Sequence, residues 1–249
     1  MTEKGPLIFY ELNEVPWRVV DFYVKARPNS CFARILPVTA QFTTVTKDEG
    51  QLHPWSTWPS LHRGVYNTTH KLLFLNQDRS CAASFPPIWE ELASLGIPVG
   101  VFGSLQSYPP SSLPFEFFVP DTFAPAPTTV PRRYECFQRF NLRRTREDGA
   151  VAEAVSLDGS SLNDVVQMFN NGLTVRTFGR LCHQILWERV QPLIRSRRSI
   201  FQAPVAFDVF RHALTNSSPR FCDIFYKPCG WNDASLLEVC ISGGLSLHP

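Results

Sequence analysis

"PPIWEELASLGIPVGVFGS", Pro86 to Ser104, decides the fold class. Two prolines open a helical stretch, Gly96 closes it, and "PVGVFG" follows as an uninterrupted apolar run. Proline suits a helix's first turn and glycine its end. A strand without a polar alternate is covered on both faces, which is the habit of parallel sheets. Pro86–Ser104 therefore reads as a helix-and-strand unit of a parallel α/β sheet.

The neighbouring segments extend that pattern. "PLIFYEL", Pro6 to Leu12, is bounded by Gly5-Pro6 and Pro16 and reads as a buried strand. It ends in an acidic-amide cluster of Glu11, Asn13 and Glu14. "WRVVDFYVKA" has helical spacing, and the β-branched "TAQFTTVT", Thr39 to Thr46, reads as a strand. "KDEGQLHPW" is a loop, and "FEFFVPDTF" is a further strand and turn. Residues 124–161 are rich in proline and arginine and read as a long surface insertion. "LNDVVQMFNNGLTVRTFGRLCHQILWERVQPLIRS" is helical, broken near Asn171-Gly172, and "FDVFRHAL" continues as helix. No internal repeat or heptad pattern is present. The expected fold is α/β, with a mainly parallel sheet flanked by helices. Sites in such sheets form where strands end and helices begin.

Charge and composition narrow the functional classes. A net charge of +2 over 249 residues is too weak for a nucleic-acid partner. The basic runs Arg143–Asp148 and Arg195–Arg198 read as solvated faces. No apolar stretch is long enough to span a bilayer, and the first residues lack a secretory leader's pattern, so no membrane partner is expected. The expected location is cytoplasmic. Seven cysteines (31, 81, 136, 182, 222, 229 and 240) form no CxxC pair and read as free thiols in a reducing compartment.

"HPWSTWPSLHRG", His53 to Gly64, carries the chemistry. Thr57 lies two residues before Pro59, so Thr57 or Ser56 is placed to cap a helix. The same position admits a second role. Helix N-termini attract anions, and a hydroxyl there faces the phosphate or sulfate it would attack once a metal lowers its pKa. The acidic cluster ending the first strand offers metal ligands. His62 and Arg63 are placed to orient an anion, and Trp55 and Trp58 to line a pocket. Surface exposure for the first pair and core packing for the second remain open.

An acidic end to the first strand, then a Thr-x-Pro-Ser step opening a helix that soon reaches glycine, resembles the alkaline phosphatase superfamily. That superfamily includes type I phosphodiesterases/nucleotide pyrophosphatases, sulfatases and cofactor-independent phosphoglycerate mutases. "IWEELASLGIPVGVFGSLQSYPP" is similar to the phosphodiesterase branch, and the resemblance covers roughly Leu7 to Phe123. It implies that Thr57 is the nucleophile and that Glu11, Asn13 and Thr57 contact metal. Asn13 stands where the family has a metal-binding Asp, so Glu11 substitutes or the first metal site is altered. His62, Arg63 and Trp58 would then bind substrate. Two divalent ions, zinc or manganese, are expected for the full-length family. The family's remaining Asp and His ligand patterns are not found here.

The tail reads differently. "FCDIFYKPCGWNDASLLEVCISGGLSLHP" is rich in cysteine and glycine and lacks clean periodicity. Its codons, read one base on, admit an aromatic run followed by Asn-His and a second His before Arg-Tyr-Trp. The expectation is that residues 1–221 are the N-terminal part of an alkaline phosphatase-like domain. Residues 222–249 are then an out-of-frame tail, with the C-terminal part of the fold missing.

The expected function is metal-dependent hydrolysis of a small phosphate ester or phosphodiester by a threonine nucleophile, inactive in a truncated chain. The alternatives are a non-catalytic remnant or anion-binding accessory protein, and a sulfatase or phosphotransferase of the same superfamily. Threonine at the nucleophile position disfavours the sulfatase.

Overall fold

A computed structural model describes residues 6–146, 159–190 and 202–226. Its centre is a four-stranded sheet of β1 (Leu7–Leu12), β2 (Val99–Phe102), β3 (Phe117–Val119) and β4 (Phe221–Tyr226). The strands run parallel in the order β1-β4-β2-β3. Around them lie α1 (Trp17–Ala26), α2 (Cys31–Ile35), α3 (Pro54–Arg63), α4 (Asn67–His70) and α5 (Ile88–Ser94). After β3 come α6 (Glu135–Arg146), α7 (Gly159–Asn170), α8 (Val175–Val190) and α9 (Gln202–Thr215). The expected α/β class with a parallel sheet is what the described residues form.

Strand alternation sorts the side chains onto two faces. One face carries Phe9, Val99, Val101, Phe118 and Phe221, packed against Trp89 and Ala93 of α5. The other carries Phe102, Phe117, Val119, Cys222 and Ile224, packed against α6, α7 and α9. Gly100 falls on this second face. A Cβ there would stand 2.3 Å from the Phe117 ring, so only glycine lets that ring lie across β2.

Three expectations differ from the structure. Thr39–Thr46 is not a strand. Phe42 and Val45 are exposed and no strand among the described residues pairs with the segment, so its β-branched composition has no ladder to join there. Residues 124–161 are not simply a surface insertion. Tyr134, Cys136 and Phe137 are fully buried in the core below the sheet, and α6 begins at Glu135. The arginines on either side of these positions, Arg132, Arg133 and Arg139, mask the apolar spacing, and residues 147–158 lie outside the described residues. The boundary expected at 221/222 falls inside β4. Cys222 and Ile224 pack in the core, while residues 227–249 lie outside the described residues.

Arg143 is within 3.3 Å of Asp164, which also takes Arg139 at 2.6 Å, so the start of the first basic run is an intramolecular ion network. The run at 195–198 lies outside the described residues. Cys31, Cys81, Cys136, Cys182 and Cys222 are free thiols. No helix among the described residues is long and apolar enough to cross a membrane.

Candidate metal and ester-binding site

The site is built where β1 and β4 leave the sheet beneath α3. Glu11 is the next-to-last residue of β1, and Asp223 lies in β4 opposite Phe9 and Val101. Alternation turns Glu11 and Asp223 to the same face, the face that α5 covers. His62, near the end of α3, reaches down between them. Glu11, His62 and Asp223 each offer a ligand atom within 4.8 Å of the others, and all three are buried.

Each member is held by a specific neighbour. His62 Nε2 lies 2.7 Å from Glu11 Oε1. Ser104, just past β2, donates to Asp223 Oδ2 at 2.8 Å. The His62 ring lies near Trp58 at 6.0 Å and meets Trp89 edge-on at 4.8 Å. Trp58 Nε1 donates to Asn13 Oδ1 at 2.8 Å, which ties the exit of β1 to α3 a second time.

Burial sets the protonation. Glu11 is pushed up to about 8 by loss of solvent. Asp223 is pushed up to about 7, first by burial and then by the Glu11 carboxylate. His62 is pushed down to about 4 by burial, against the opposing pull of Asp223. Near neutral pH and without an ion, Glu11 keeps its proton and His62 is uncharged. The Glu11–His62 contact is then a hydrogen bond between neutral partners, not an ion pair. Glu11 Oε2, His62 Nδ1 and Asp223 Oδ1 have no hydrogen-bond partner among the described residues.

The helix that carries Thr57 starts earlier than the sequence suggests. His53 is its N-cap and Pro54 its first residue. Thr57 therefore sits at the end of the first turn and caps nothing. Its hydroxyl donates to the His53 carbonyl at 3.1 Å, and so does that of Ser56 at 3.0 Å. Pro59 lies inside the helix. It has no N–H for the Trp55 carbonyl, four residues back. Gln106 Nε2 donates to that carbonyl instead, at 3.3 Å. The sequence missed the start because Pro54 and Pro59 both fit a first turn.

The structure brings together Glu11, Asn13, Trp58 and His62 of the expected set. Arg63 turns elsewhere and donates to the carbonyls of Ala82 (3.3 Å) and Phe85. Asp223 and Ser104 were not anticipated. The lone acid in "FCDIFY" was the available signal for Asp223. His183 stacks on Trp187 at 6.0 Å, and His212 lies 3.4 Å from the Tyr134 hydroxyl.

A second cluster, Ser60, His70 and Asp48, imitates a nucleophile triad. Ser60 donates to Asp48 Oδ2 at 2.7 Å and lies 2.9 Å from His70 Nε2. His70 Nδ1 accepts the Leu72 N–H at 2.9 Å, so Nε2 carries the ring proton and donates to Ser60. A base in that tautomer has no lone pair facing the hydroxyl. Asp48 also accepts from the Asn67 N–H at 2.8 Å, so the cluster is a clamp on the loop before α3.

An open cavity of about 370 Å³, which none of Glu11, His62 and Asp223 lines, is formed by Arg79, Gln106, Tyr108 and Asp121, among others. Asp121 accepts the Phe123 N–H at 2.8 Å, and burial raises its carboxyl to about 6. A raised carboxyl stabilises the fold below its unfolded pKa, and that contribution is lost as pH rises through about 6. From pH 5 to pH 7, the wild type is expected to lose about 1 kcal/mol relative to Asp121→Asn. Urea unfolding of both proteins at the two pH values checks this, and equal losses would remove the assignment.

No protein-family model matches the chain, and no curated protein or solved structure matches it either.

Proposed function

We propose that the chain is a metal-dependent hydrolase of small phosphate esters or phosphodiesters, with Thr57 as nucleophile, in the manner of the alkaline phosphatase superfamily. One observation carries the reading. The acidic exit of β1 is bound to the helix bearing Thr57 through Glu11–His62 (2.7 Å) and Trp58–Asn13 (2.8 Å). Helix α3 and the acidic exit of β1 are thereby joined at the carboxyl end of a parallel sheet, where α/β proteins place their sites, which supports the reading.

In the proposed step, Thr57 releases its bond to the His53 carbonyl. Its oxygen loses a proton to solvent and forms a bond to phosphorus as the ester oxygen departs with the bonding pair. The departing oxygen takes a proton, and water then hydrolyses the phosphothreonine. A divalent ion held near the acidic exit of β1 would supply positive charge to the phosphoryl group. Asn13 and Trp58 fix the position of α3 over the strand exit.

A second reading is anion binding without turnover. It is favoured by the Thr57 hydroxyl's bond to the His53 carbonyl, which engages the group that turnover needs. Hydrolysis of bis-(p-nitrophenyl) phosphate, with zinc or manganese supplied, tests both. Thr57→Ala is expected to lower kcat at least about 1,000-fold, and Thr57→Ser to restore part of it. Turnover unchanged in Thr57→Ala removes the nucleophile. Vanadate binding without any turnover in the wild type selects the binding protein.

A further inference from the structure

We infer that Glu11, His62 and Asp223 form a mononuclear site for a divalent transition-metal ion of the zinc or manganese class. The inference deepens the hydrolase reading and rests on it only for the use of the ion. It names a ligand set different from the one the resemblance implies, with His62 as a ligand and Asn13 and Thr57 outside.

The argument begins with unsatisfied polar atoms. Glu11, His62 and Asp223 are 2 %, 3 % and 0 % exposed. Each still has one side-chain atom without a partner among the described residues: Oε2, Nδ1 and Oδ1. A buried polar atom left unpaired costs roughly 1–3 kcal/mol. Three such atoms on three residues of one cluster are costly for a resting fold. Independently of those atoms, each of the three residues offers one ligand atom within 4.8 Å of the other two, so a single cation fits the cluster.

Ligand chemistry then selects the ion. One imidazole nitrogen and two carboxylate oxygens suit zinc and manganese better than calcium or magnesium, which take oxygen sets. Bond lengths of about 2.0–2.2 Å put neighbouring ligands roughly 3.5 Å apart around zinc. The ligand atoms lie within 4.8 Å of one another, so a side-chain shift of at most about 1 Å brings them to those distances. Three protein ligands leave a coordination position free for solvent or an ester oxygen.

The surroundings support ligation. Ser104 donates to Asp223 Oδ2 and orients the carboxylate, as outer-shell groups do at metal centres. Trp58 and Trp89 hold the imidazole from two sides. Asn13 Oδ1 already accepts from Trp58, and the Thr57 hydroxyl already donates to His53. Neither carries an orphaned atom into the cluster.

The test uses the whole chain, stripped with a chelator and then equilibrated with zinc, manganese or cobalt. Bound metal is counted by elemental analysis, and cobalt is read by its visible absorption. The expected result is one ion per chain and a rise in melting temperature on loading. Glu11→Gln and Asp223→Asn should each weaken binding more than about 100-fold, beyond the 10–100-fold typical of an outer-shell change. Thr57→Ala should bind as the wild type does, and Asn13→Ala, which frees only Trp58, should lose no more than the roughly 10–100-fold of an outer-shell change. Circular dichroism and melting of the stripped variants report their folding separately. Absence of saturable binding to the wild type overturns the site. So does binding unaffected by both carboxylate variants. Metal bound through these residues without ester turnover leaves the site and removes the hydrolase. Thr57-dependent turnover with metal retained in both carboxylate variants does the reverse.

Discussion

Gly172→Ala is expected to lower the unfolding free energy by about 3 kcal/mol, although it adds one methyl group. Gly172 lies between α7 and α8 with φ at +102°, a conformation that L side chains rarely adopt. A Cβ there would stand 2.3 Å from His212 Cβ and 2.8 Å from the Asp208 carbonyl, both on α9. Neither is a flexible side-chain end, so the corner would have to lift from α9. That lift strains a neighbouring anchor. Asp208 Oδ2 accepts from the Thr174 N–H and hydroxyl, each at 2.9 Å, where α8 begins. Gly64 separates strain from crowding. It also has positive φ, +65°, but nothing lies within 4 Å of its Cβ position. Gly64→Ala is therefore expected to cost only about 1 kcal/mol, for the backbone alone. Urea unfolding of the two variants measures the contrast. Equal losses would mean that the α7–α8 corner does not rest on α9.

The fold was legible where composition and punctuation agree. Pro86–Ser104 has prolines ahead of its helix, a glycine after it and an apolar strand, and the structure places α5, Gly96 with φ at +75° and β2 there. Asn171-Gly172 marked the break between α7 and α8 for the same reason. Legibility failed where a local pattern depends on distant partners. Thr39–Thr46 has strand composition but no partner strand among the described residues. Phe221–Tyr226 has a neighbour on each side, but its cysteine-rich continuation hides it.

The same division runs through the site. Glu11, Asn13, Trp58 and His62 were found because they cluster in two short stretches whose chemistry is plain. Asp223 stands more than 150 residues beyond His62 and joins them only through strand order. Ser104 follows an apolar strand and carries no sign of the carboxylate it serves. Burial, which moves the charges of all three clustered residues, has no signature in the sequence at all.

Trp89 shows how the core and the site depend on one another, and Trp89→Ala is expected to cost about 3–5 kcal/mol. The ring is fully enclosed by Val99, Val101, Phe118 and Phe221 on the face of the sheet that also carries Glu11 and Asp223. It supports the edge of His62 at 4.8 Å. Truncation leaves a cavity that the rigid sheet below cannot fill. Phenylalanine separates the ring's volume from its polar atom. Trp89 Nε1 is buried without a partner among the described residues. Trp89→Phe loses volume but also removes that unsatisfied donor, and the two effects oppose each other. Its expected cost is about 1 kcal/mol, well below that of alanine. Chemical denaturation of the three proteins measures both steps. A phenylalanine variant as unstable as alanine would show that the indole nitrogen has a partner and that Trp89 is more than apolar support for His62. A phenylalanine variant near the wild type would show that this wall of the site needs an aromatic surface and no hydrogen bond.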